Sequence, residues 1–386
     1  MGVFRDALAQ PGLAAIAEVK RRSPSAGELR PDADPAQLAA AFERAGAAAV
    51  SMLVDERFGG TVADLEAARA ASRVPLLAKG FFATSEELAG LRRAGADAVL
   101  LLLRDLDDAL AADLLAHAAG LGLDALVEAH DASELDRATA LGAEVIGLNA
   151  RDLGTFEIDR QAQLALVERA PRDRVVVAES AIASRAQGAE AELAGADAIL
   201  VGSTLMRAGD PAAKLEELIS RPLVKVCGLT RQEDVAAAAD AGADLAGFVL
   251  AKESPRRAPQ LLPVPETMLS VAVHVGEAGE DGADLVQLYP REDGHRGRDG
   301  VLLRERREVA KVVDRPWQQE DPTHFERARA TEGRVVLAGG LSPENVADAI
   351  AAVRPWAVDA SSSLELEPGI KDPERVHAYV EAARCS

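Results

Sequence analysis

Charged side chains close several short apolar runs in the first half of the chain. Glu18 and Lys20 lie two residues apart, a spacing that turns both side chains to the same face of a strand. Lys79, Glu128 and Glu179 close three further runs. Carboxylates and ammonium groups that share one site can hold opposed proton affinities, which lets the site keep a general acid and a general base at neutral pH. The pattern predicts acid-base chemistry, and the alternative is a set of inward salt bridges that only stabilise the fold.

These runs belong to a repeated unit that joins an Ala-rich helical stretch, through a glycine, to an apolar strand, as in RAGADAVLLLL and AGADAILVG. Strands that run apolar without alternation are typical of parallel sheets covered by helices. We therefore predict a (β/α)8 barrel over residues 1–220. Its eight strands are expected near residues 16–20, 48–53, 74–79, 98–103, 125–128, 145–149, 175–179 and 198–201.

The pattern restarts at RPLVKVCG, which predicts a second α/β barrel over residues 221–386 in contact with the first. Its strands are expected near 223–227, 245–250, 269–275, 285–289, 309–313, 334–338 and 356–359, with 300–303 as a doubtful eighth. PQLLPVP and GEAGEDG stand where helices should follow strands two and three, and VLLRERREVAKVV leaves little room for another helix. We expect a trimmed barrel.

The composition restricts the partners. A net charge of −20 argues against nucleic acid and anionic membranes, so an anionic ligand needs a site of locally inverted charge. Two cysteines, Cys227 and Cys385, and the absence of a signal-like N-terminus predict a cytoplasmic protein. The six histidines do not cluster with carboxylates at metal-ligand spacing, so we expect no metal and no other cofactor.

In such barrels the chemistry lies at the carboxyl ends of the strands. Asn149, Arg151 and Ser180 lie at these predicted ends, and ESAIAS and VGSTLM occupy the usual phosphate position after strands seven and eight. His130, which follows Glu128 closely, is expected to cap a helix or to pack.

The strand-end motifs carry a resemblance. IAEVKRRSPSAG, PLLAKGFF, AGADAVLLLL, LVEAHD, IGLNARDL, VAESAI and ILVGSTLM resemble, in order over residues 4–218, those of indole-3-glycerol phosphate synthase. That family closes, decarboxylates and dehydrates 1-(2-carboxyphenylamino)-1-deoxyribulose 5-phosphate. The resemblance implies Lys79 as the general acid of ring closure, Glu128 as an acid or base in later steps, and Lys20 with Glu18 at the substrate carboxylate and in dehydration. It also implies substrate positioning by Asn149, Arg151, Glu179 and Ser180, with Ser23, Gly202 and Ser203 at the phosphate.

The chain departs from this family at three points. Gly80 stands where the family has Asp, Ala150 where it has Asn, and Ala181 where it has Gly. Ala181 bears on the phosphate loop because alanine tolerates fewer backbone conformations than glycine.

The second half resembles another family. Cys227 alone would be read as a small core residue, although Lys225 two residues earlier could lower the thiol pKa and make a usable base. VKVCGLT, SPRRAP, DLVQLY, LAGGLSPENV, VDASSSLE and PGIKD resemble the markers of phosphoribosylanthranilate isomerase. That resemblance implies Cys227 as the base and Arg256 at the substrate carboxylate. It places Gly339, Gly340 and Ser362 at the phosphate, and spacing offers Asp314 as the acid.

This second match has gaps. RPWQQEDPTHFE replaces the family's Gly-rich phosphate loop, and Tyr289-Pro290 replaces His-Gly. The loss of glycine N–H donors and the presence of Glu320 and Asp321 are expected to weaken phosphate binding.

Three functions are compatible with these residues. The first is a bifunctional tryptophan-biosynthesis enzyme acting on small phosphosugar-anthranilate substrates. In the second, only the first barrel is catalytic and the other is a structural or partner-binding module. The third is a different phosphosugar isomerase, and Cys227 argues against it because such enzymes use paired aspartates.

Overall fold

The computed structural model describes residues 2–23, 27–152, 155–292, 295–315 and 320–385. The chain divides into two compact units. One comprises the residues up to Ala183 together with Gly188–Ile219, and the other comprises Ser184–Gln187 and the residues from Ser220 onward. None of the described helices is both long enough and apolar enough to cross a membrane.

The first unit contains a closed barrel of eight strands, each parallel to its neighbours. All eight strands predicted from the apolar runs are confirmed. The strands are β1 (Ala14–Val19), β2 (Ala49–Leu53), β3 (Leu76–Lys79), β4 (Ala98–Leu102), β5 (Asp124–Ala129), β6 (Val145–Asn149), β7 (Val175–Glu179) and β8 (Ala198–Val201).

Helices alternate with these strands, and side-chain caps set where several of them begin. In the helices Val62–Ala71 and Ser85–Arg93, Thr61 and Thr84 form capping boxes with Asp64 and Glu87. The helices are α1 (Val3–Leu8), α2 (Pro35–Arg44), α3 (Val62–Ala71), α4 (Ser85–Arg93), α5 (Asp108–Gly120), α6 (Ala132–Ala140), α7 (Arg160–Arg169), α8 (Arg185–Ala194), α9 (Ser203–Arg207) and α10 (Pro211–Ile219).

Two apolar layers hold this barrel together. The larger lies between the strands and the surrounding helices, as alternating strand residues such as Val50 and Met52 pack outward against them. The smaller fills the barrel, where α1 contributes Phe4 and Leu8 to a cluster with side chains such as Ile16. The interior is therefore packed, and polar chemistry is left to the strand ends.

The second unit also contains a closed barrel of eight strands. Its strands are β9 (Leu223–Cys227), β10 (Leu245–Val249), β11 (Leu269–Val275), β12 (Leu285–Tyr289), β13 (Gly300–Arg304), β14 (Arg307–Val313), β15 (Val335–Ala338) and β16 (Ala357–Ala360). The doubtful strand near 300–303 is β13, and it completes the barrel between β12 and β14.

β13 runs antiparallel to both of its neighbours, which the sequence reading did not predict. Glu305 and Arg306 connect β13 to β14 in a two-residue turn with φ angles of 48° and 65°. A parallel connection would need a crossover of a dozen or more residues, so this short turn reverses the strand direction.

The trimming of the second barrel is confirmed. Its helices are α11 (Gln232–Asp240), α12 (His324–Ala330), α13 (Val346–Val353) and α14 (Pro373–Arg384). PQLLPVP and GEAGEDG contain no helix, and a short hairpin of Arg291–Glu292 with His295–Arg296 lies between β12 and β13.

Candidate active sites

Lys79 lies at the centre of the polar cluster at the mouth of the first barrel. Its Nζ is 2.5 Å from Glu179 Oε2, 3.6 Å from Glu18 Oε2 and 3.6 Å from Glu128 Oε2. Lys20 Nζ lies 2.7 Å from Glu18 Oε1. The structure thus brings together five side chains that the sequence placed at four strand ends.

Burial and mutual charge set the pKa values of this cluster. Burial opposes ionisation of Glu18, but Lys20 and Lys79 outweigh it and hold its pKa below the usual value. Burial also disfavours the charged form of Lys79, yet Glu179, Glu18 and Glu128 raise its pKa above its ordinary value. Lys79 is therefore an ammonium ion at neutral pH.

Glu128 and Glu179 are driven in opposite directions. Burial disfavours the ionised Glu128, but Lys79 and His130 outweigh it and lower its pKa to about 2. Burial and the charge of Glu128 raise the pKa of Glu179 to about 7 against the pull of Lys79. The site therefore combines the firmly ionised Glu128 with a carboxyl, Glu179, that can exchange its proton near neutral pH.

His130 contributes more to this site than the sequence suggested. Its Nε2 is 3.2 Å from Glu128 Oε1, and its Nδ1 is 3.0 Å from Glu134 Oε2. Burial lowers its pKa, but the two glutamates outweigh that and raise it to about 10. The imidazolium thus supports the ionised state of Glu128. Its position two residues beyond a predicted strand was the only sequence signal for this contact.

A hydrogen-bonded chain links β5, β6 and β7. Asn149 Nδ2 donates to Glu128 Oε1 at 2.8 Å, and Ser180 Oγ donates to Asn149 Oδ1 at 2.7 Å. The main-chain N of Arg151 also donates to Asn149 Oδ1, at 2.9 Å. These bonds fix the amide, so its orientation toward Glu128 is set before any ligand arrives.

The candidate phosphate residues lie at the same mouth. A Cβ on Gly202 would come within 2.4 Å of Glu18 Oε1, so a side chain there would displace the Glu18 carboxylate. Ser203 begins α9, and Ser23 lies in a short hairpin of Arg22–Ser23 with Gly27–Glu28. Ala181 has a φ of 55°, in the region that favours glycine, as its replacement of a family glycine suggested.

In the second barrel, Lys225 anchors a buried polar cluster. Its Nζ donates to Gln287 Oε1 and to Asp359 Oδ2, each at 2.7 Å. Cys227 is buried on the same strand, and the thiol lies next to Gly247, where a Cβ would approach Sγ to 2.7 Å. The expected depression of the thiol pKa is wrong. Burial raises it, and the opposing effect of Lys225 is too weak to reverse that shift.

Asp314 follows β14 and accepts three hydrogen bonds. Tyr289 Oη donates to Oδ2 at 2.9 Å, Arg296 Nη1 donates to Oδ2 at 2.8 Å, and the N of Arg315 donates to Oδ1 at 2.7 Å. The Arg296 guanidinium also lies 4.2 Å from the centre of the Tyr289 ring. Tyr289 connects this group to the first cluster, since Gln287 Nε2 donates to its Oη at 2.8 Å.

Arg256 is tied to a buried carboxylate that the sequence reading missed. Its Nε lies 2.9 Å from both oxygens of Glu365, and Lys371 Nζ lies 2.9 Å from Glu365 Oε1. Glu365 follows the turn Ser362–Leu364, which begins just after β16. Gly339 and Gly340 follow β15 with φ angles of 89° and 73°. These candidate phosphate residues therefore lie after neighbouring strands.

Comparison with known proteins identifies the first unit. Residues 2–218 match the family model of indole-3-glycerol phosphate synthase. The chain belongs to the indole-3-glycerol phosphate synthase family. It is 46% identical over 217 residues to indole-3-glycerol phosphate synthase 2 of Streptomyces coelicolor, and this alignment covers 56% of this chain and 84% of that protein. It is 44% identical over 215 residues to the synthase of Mycobacterium ulcerans, which covers 55% of this chain and 79% of that protein.

The synthase sequence is followed by a second family. Residues 321–382 match the model of N-(5'-phosphoribosyl)anthranilate isomerase. The crystal structure of TrpF from Jonesia denitrificans aligns with 42% of this chain and 97% of its own, at 30% identity and a TM-score of 0.35. The chain thus carries a synthase-family domain followed by a segment that matches the isomerase family, as the motifs suggested.

Proposed function

We propose that this chain catalyses two successive reactions. The second barrel would isomerise N-(5-phosphoribosyl)anthranilate to 1-(2-carboxyphenylamino)-1-deoxyribulose 5-phosphate. The first barrel would convert that compound to indole-3-glycerol phosphate. The observation that supports this most strongly is the convergence of Lys20, Lys79 and three buried glutamates at the mouth of the synthase-family barrel.

For ring closure, Lys79 is the group suited to the substrate carbonyl. It stays protonated, and a cation fixed among carboxylates stabilises the negative charge that develops on the carbonyl oxygen as the new carbon-carbon bond forms. Lys20 is the second cation at the mouth and is suited to the anthranilate carboxylate, which later leaves as carbon dioxide.

Dehydration requires a group that gives a proton to the departing hydroxyl and a group that removes one from the ring system. Glu179, with a pKa of about 7, can transfer a proton in either direction at neutral pH. Glu128 is held ionised by Lys79 and His130 and is suited to accept a proton. Asn149, Arg151 and Ser180 would position the substrate, with Ser23, Gly202 and Ser203 at its phosphate.

In the isomerase barrel, Asp314 would protonate the ribose ring oxygen and Cys227 would remove the C2' proton. Both lie at the carboxyl ends of strands, β14 and β9. Arg256 would meet the substrate carboxylate, while Gly339, Gly340 and Ser362 would hold the phosphate. The match of residues 321–382 to the isomerase family favours a catalytic second barrel over a structural module. Because Cys227 and Cys385 are both free thiols, we place the enzyme in the reducing cytoplasm.

A time course on the intact protein tests this proposal. Phosphoribosylanthranilate is generated in situ and its fluorescence is followed, while both the carboxyphenylamino intermediate and indole-3-glycerol phosphate are quantified by chromatography. We expect the indole product to form from either starting compound. Turnover of the carboxyphenylamino compound alone would refute the isomerase half, and turnover of neither would refute both halves.

A further inference from the structure

Arg315 occupies the place where the second barrel departs most from its family. It is the first residue after Asp314, where the family's Gly-rich phosphate loop is replaced by RPWQQEDPTHFE. The side chain passes beside the Gly339-Gly340 turn at the end of β15. A Cβ built on Gly340 would lie only 1.6 Å from Arg315 Nη2, so the guanidinium fills the space that a side chain there would need.

The guanidinium of Arg315 lacks a carboxylate partner among the residues that the structure describes. The main-chain N of Arg315 donates to Asp314 Oδ1 at 2.7 Å. Two acids of this segment have other partners: Asp314 pairs with Arg296 at 2.8 Å, and Asp321 pairs with Arg327 at 2.7 Å. A half-buried arginine with no counter-charge is unusual in a chain of net charge −20.

The place of this cation points to its ligand. Gly339 and Gly340 both have positive φ angles and begin the loop after β15. The strand next to β15 is β16, which is followed by the loop that contains Ser362. A planar guanidinium can bind a phosphate through two parallel hydrogen bonds. The pairing of Asp321 with Arg327 also limits the repulsion that its charge would otherwise exert on an anion.

We propose that Arg315 binds the substrate phosphate of the isomerase site and replaces the donors of the missing Gly-rich loop. The proposal rests on the proposed isomerase function of the second barrel. Arg315 would supply the local positive charge that an anionic ligand requires in this acidic chain. The ligand class is a phosphate monoester, with inorganic phosphate as its simplest probe.

Isomerase kinetics on the full chain test this assignment, with inorganic phosphate as a competitive inhibitor. Loss of a charge-assisted bond in Arg315→Ala should raise KM and the phosphate inhibition constant by about 10-fold or more, while kcat changes by less than about 3-fold. Arg315→Lys should recover part of the loss. Arg329→Ala removes an equal charge from an exposed position on α12 and should leave both constants unchanged.

Phosphate inhibition of the synthase reaction, measured on the same samples, should be identical in all variants. The proposal is overturned if Arg315→Ala and Arg329→Ala have the same phosphate inhibition constant, or if only kcat falls. If the intact protein shows no isomerase turnover, the proposed function fails, but Arg315 is still tested by calorimetric phosphate titration. The intact chain should then bind one phosphate more than Arg315→Ala, and equal stoichiometry would reject the site.

Discussion

Glu179 shows how single residues in the synthase site respond to their neighbours. Its folded-state pKa of about 7 lies above the ordinary glutamate value of 4.5, because burial and Glu128 disfavour its charge. A group with a raised pKa stabilises the fold fully below its unfolded pKa, and this contribution is lost as the pH rises through the folded value. Because of Glu179, the unfolding free energy of the first unit should fall as the pH rises from 5 to 8.

Replacing Glu179 with Gln should remove that pH dependence. Between pH 5 and pH 8, the intact protein should lose about 3 kcal/mol of unfolding free energy relative to Glu179→Gln. Urea unfolding followed by circular dichroism measures the difference. Both tryptophans, Trp317 and Trp356, follow residue 220, so fluorescence identifies the transition of the second unit.

The control for this substitution is Glu66→Gln, at an exposed position on α3. It should follow the intact protein at every pH. Parallel curves for all three proteins would show that Glu179 has an ordinary pKa and would remove it as a proton-transfer candidate.

Ala181 gives a second prediction at the residue scale. A φ of 55° strains alanine, so Ala181→Gly should stabilise the first unit by about 1 kcal/mol. Ala165→Gly is the matched control, because Ala165 is exposed within α7 and glycine there should cost about 1 kcal/mol. Equal destabilisation by both substitutions, measured by urea unfolding, would show that the loop carries no strain.

The sequence identified site residues where a strand positions them. Glu18, Lys79 and Glu179 could be placed together because the carboxyl ends of parallel strands meet at one end of a barrel. The pairing of Arg256 with Glu365 and of Asp314 with Arg296 could not be predicted in this way. Glu365 and Arg296 come from two short hairpins outside the barrel, which the pattern of apolar barrel strands does not position.

At the level of elements, apolar runs predicted every barrel strand but not every direction. A run such as GVLL shows that a strand is buried, but it does not show which way the strand runs. The direction of β13 is set by the length of its connections, and the turn at Glu305-Arg306 lacks the Asn or Gly that usually signals a hairpin.

That turn offers a prediction. Because both central residues have positive φ, replacing Glu305-Arg306 with Asn-Gly should stabilise the second unit by about 1 kcal/mol. Replacement with Ala-Ala is the control, since it removes the same side chains and keeps the strain. Tryptophan fluorescence during urea unfolding measures both variants. A gain for Ala-Ala equal to that for Asn-Gly would refute the backbone explanation.

At the scale of the whole molecule, each barrel carries candidate catalytic residues of its own. Lys79 is centred among the carboxylates of the first, and Cys227 lies on the first strand of the second. We therefore expect that each activity can be removed without the other. The substitutions Lys79→Met and Cys227→Ala separate them most directly.

The decisive measurement is product analysis of these two variants, alone and mixed, with phosphoribosylanthranilate generated in situ and circular dichroism confirming that both are folded. Lys79→Met should accumulate the carboxyphenylamino intermediate, and loss of the acid should slow indole formation by about 100-fold or more. Cys227→Ala should leave phosphoribosylanthranilate unconverted yet turn over added intermediate, and the mixture should restore the indole product. Isomerisation by Cys227→Ala at the intact rate, or ring closure by Lys79→Met at that rate, would contradict the account.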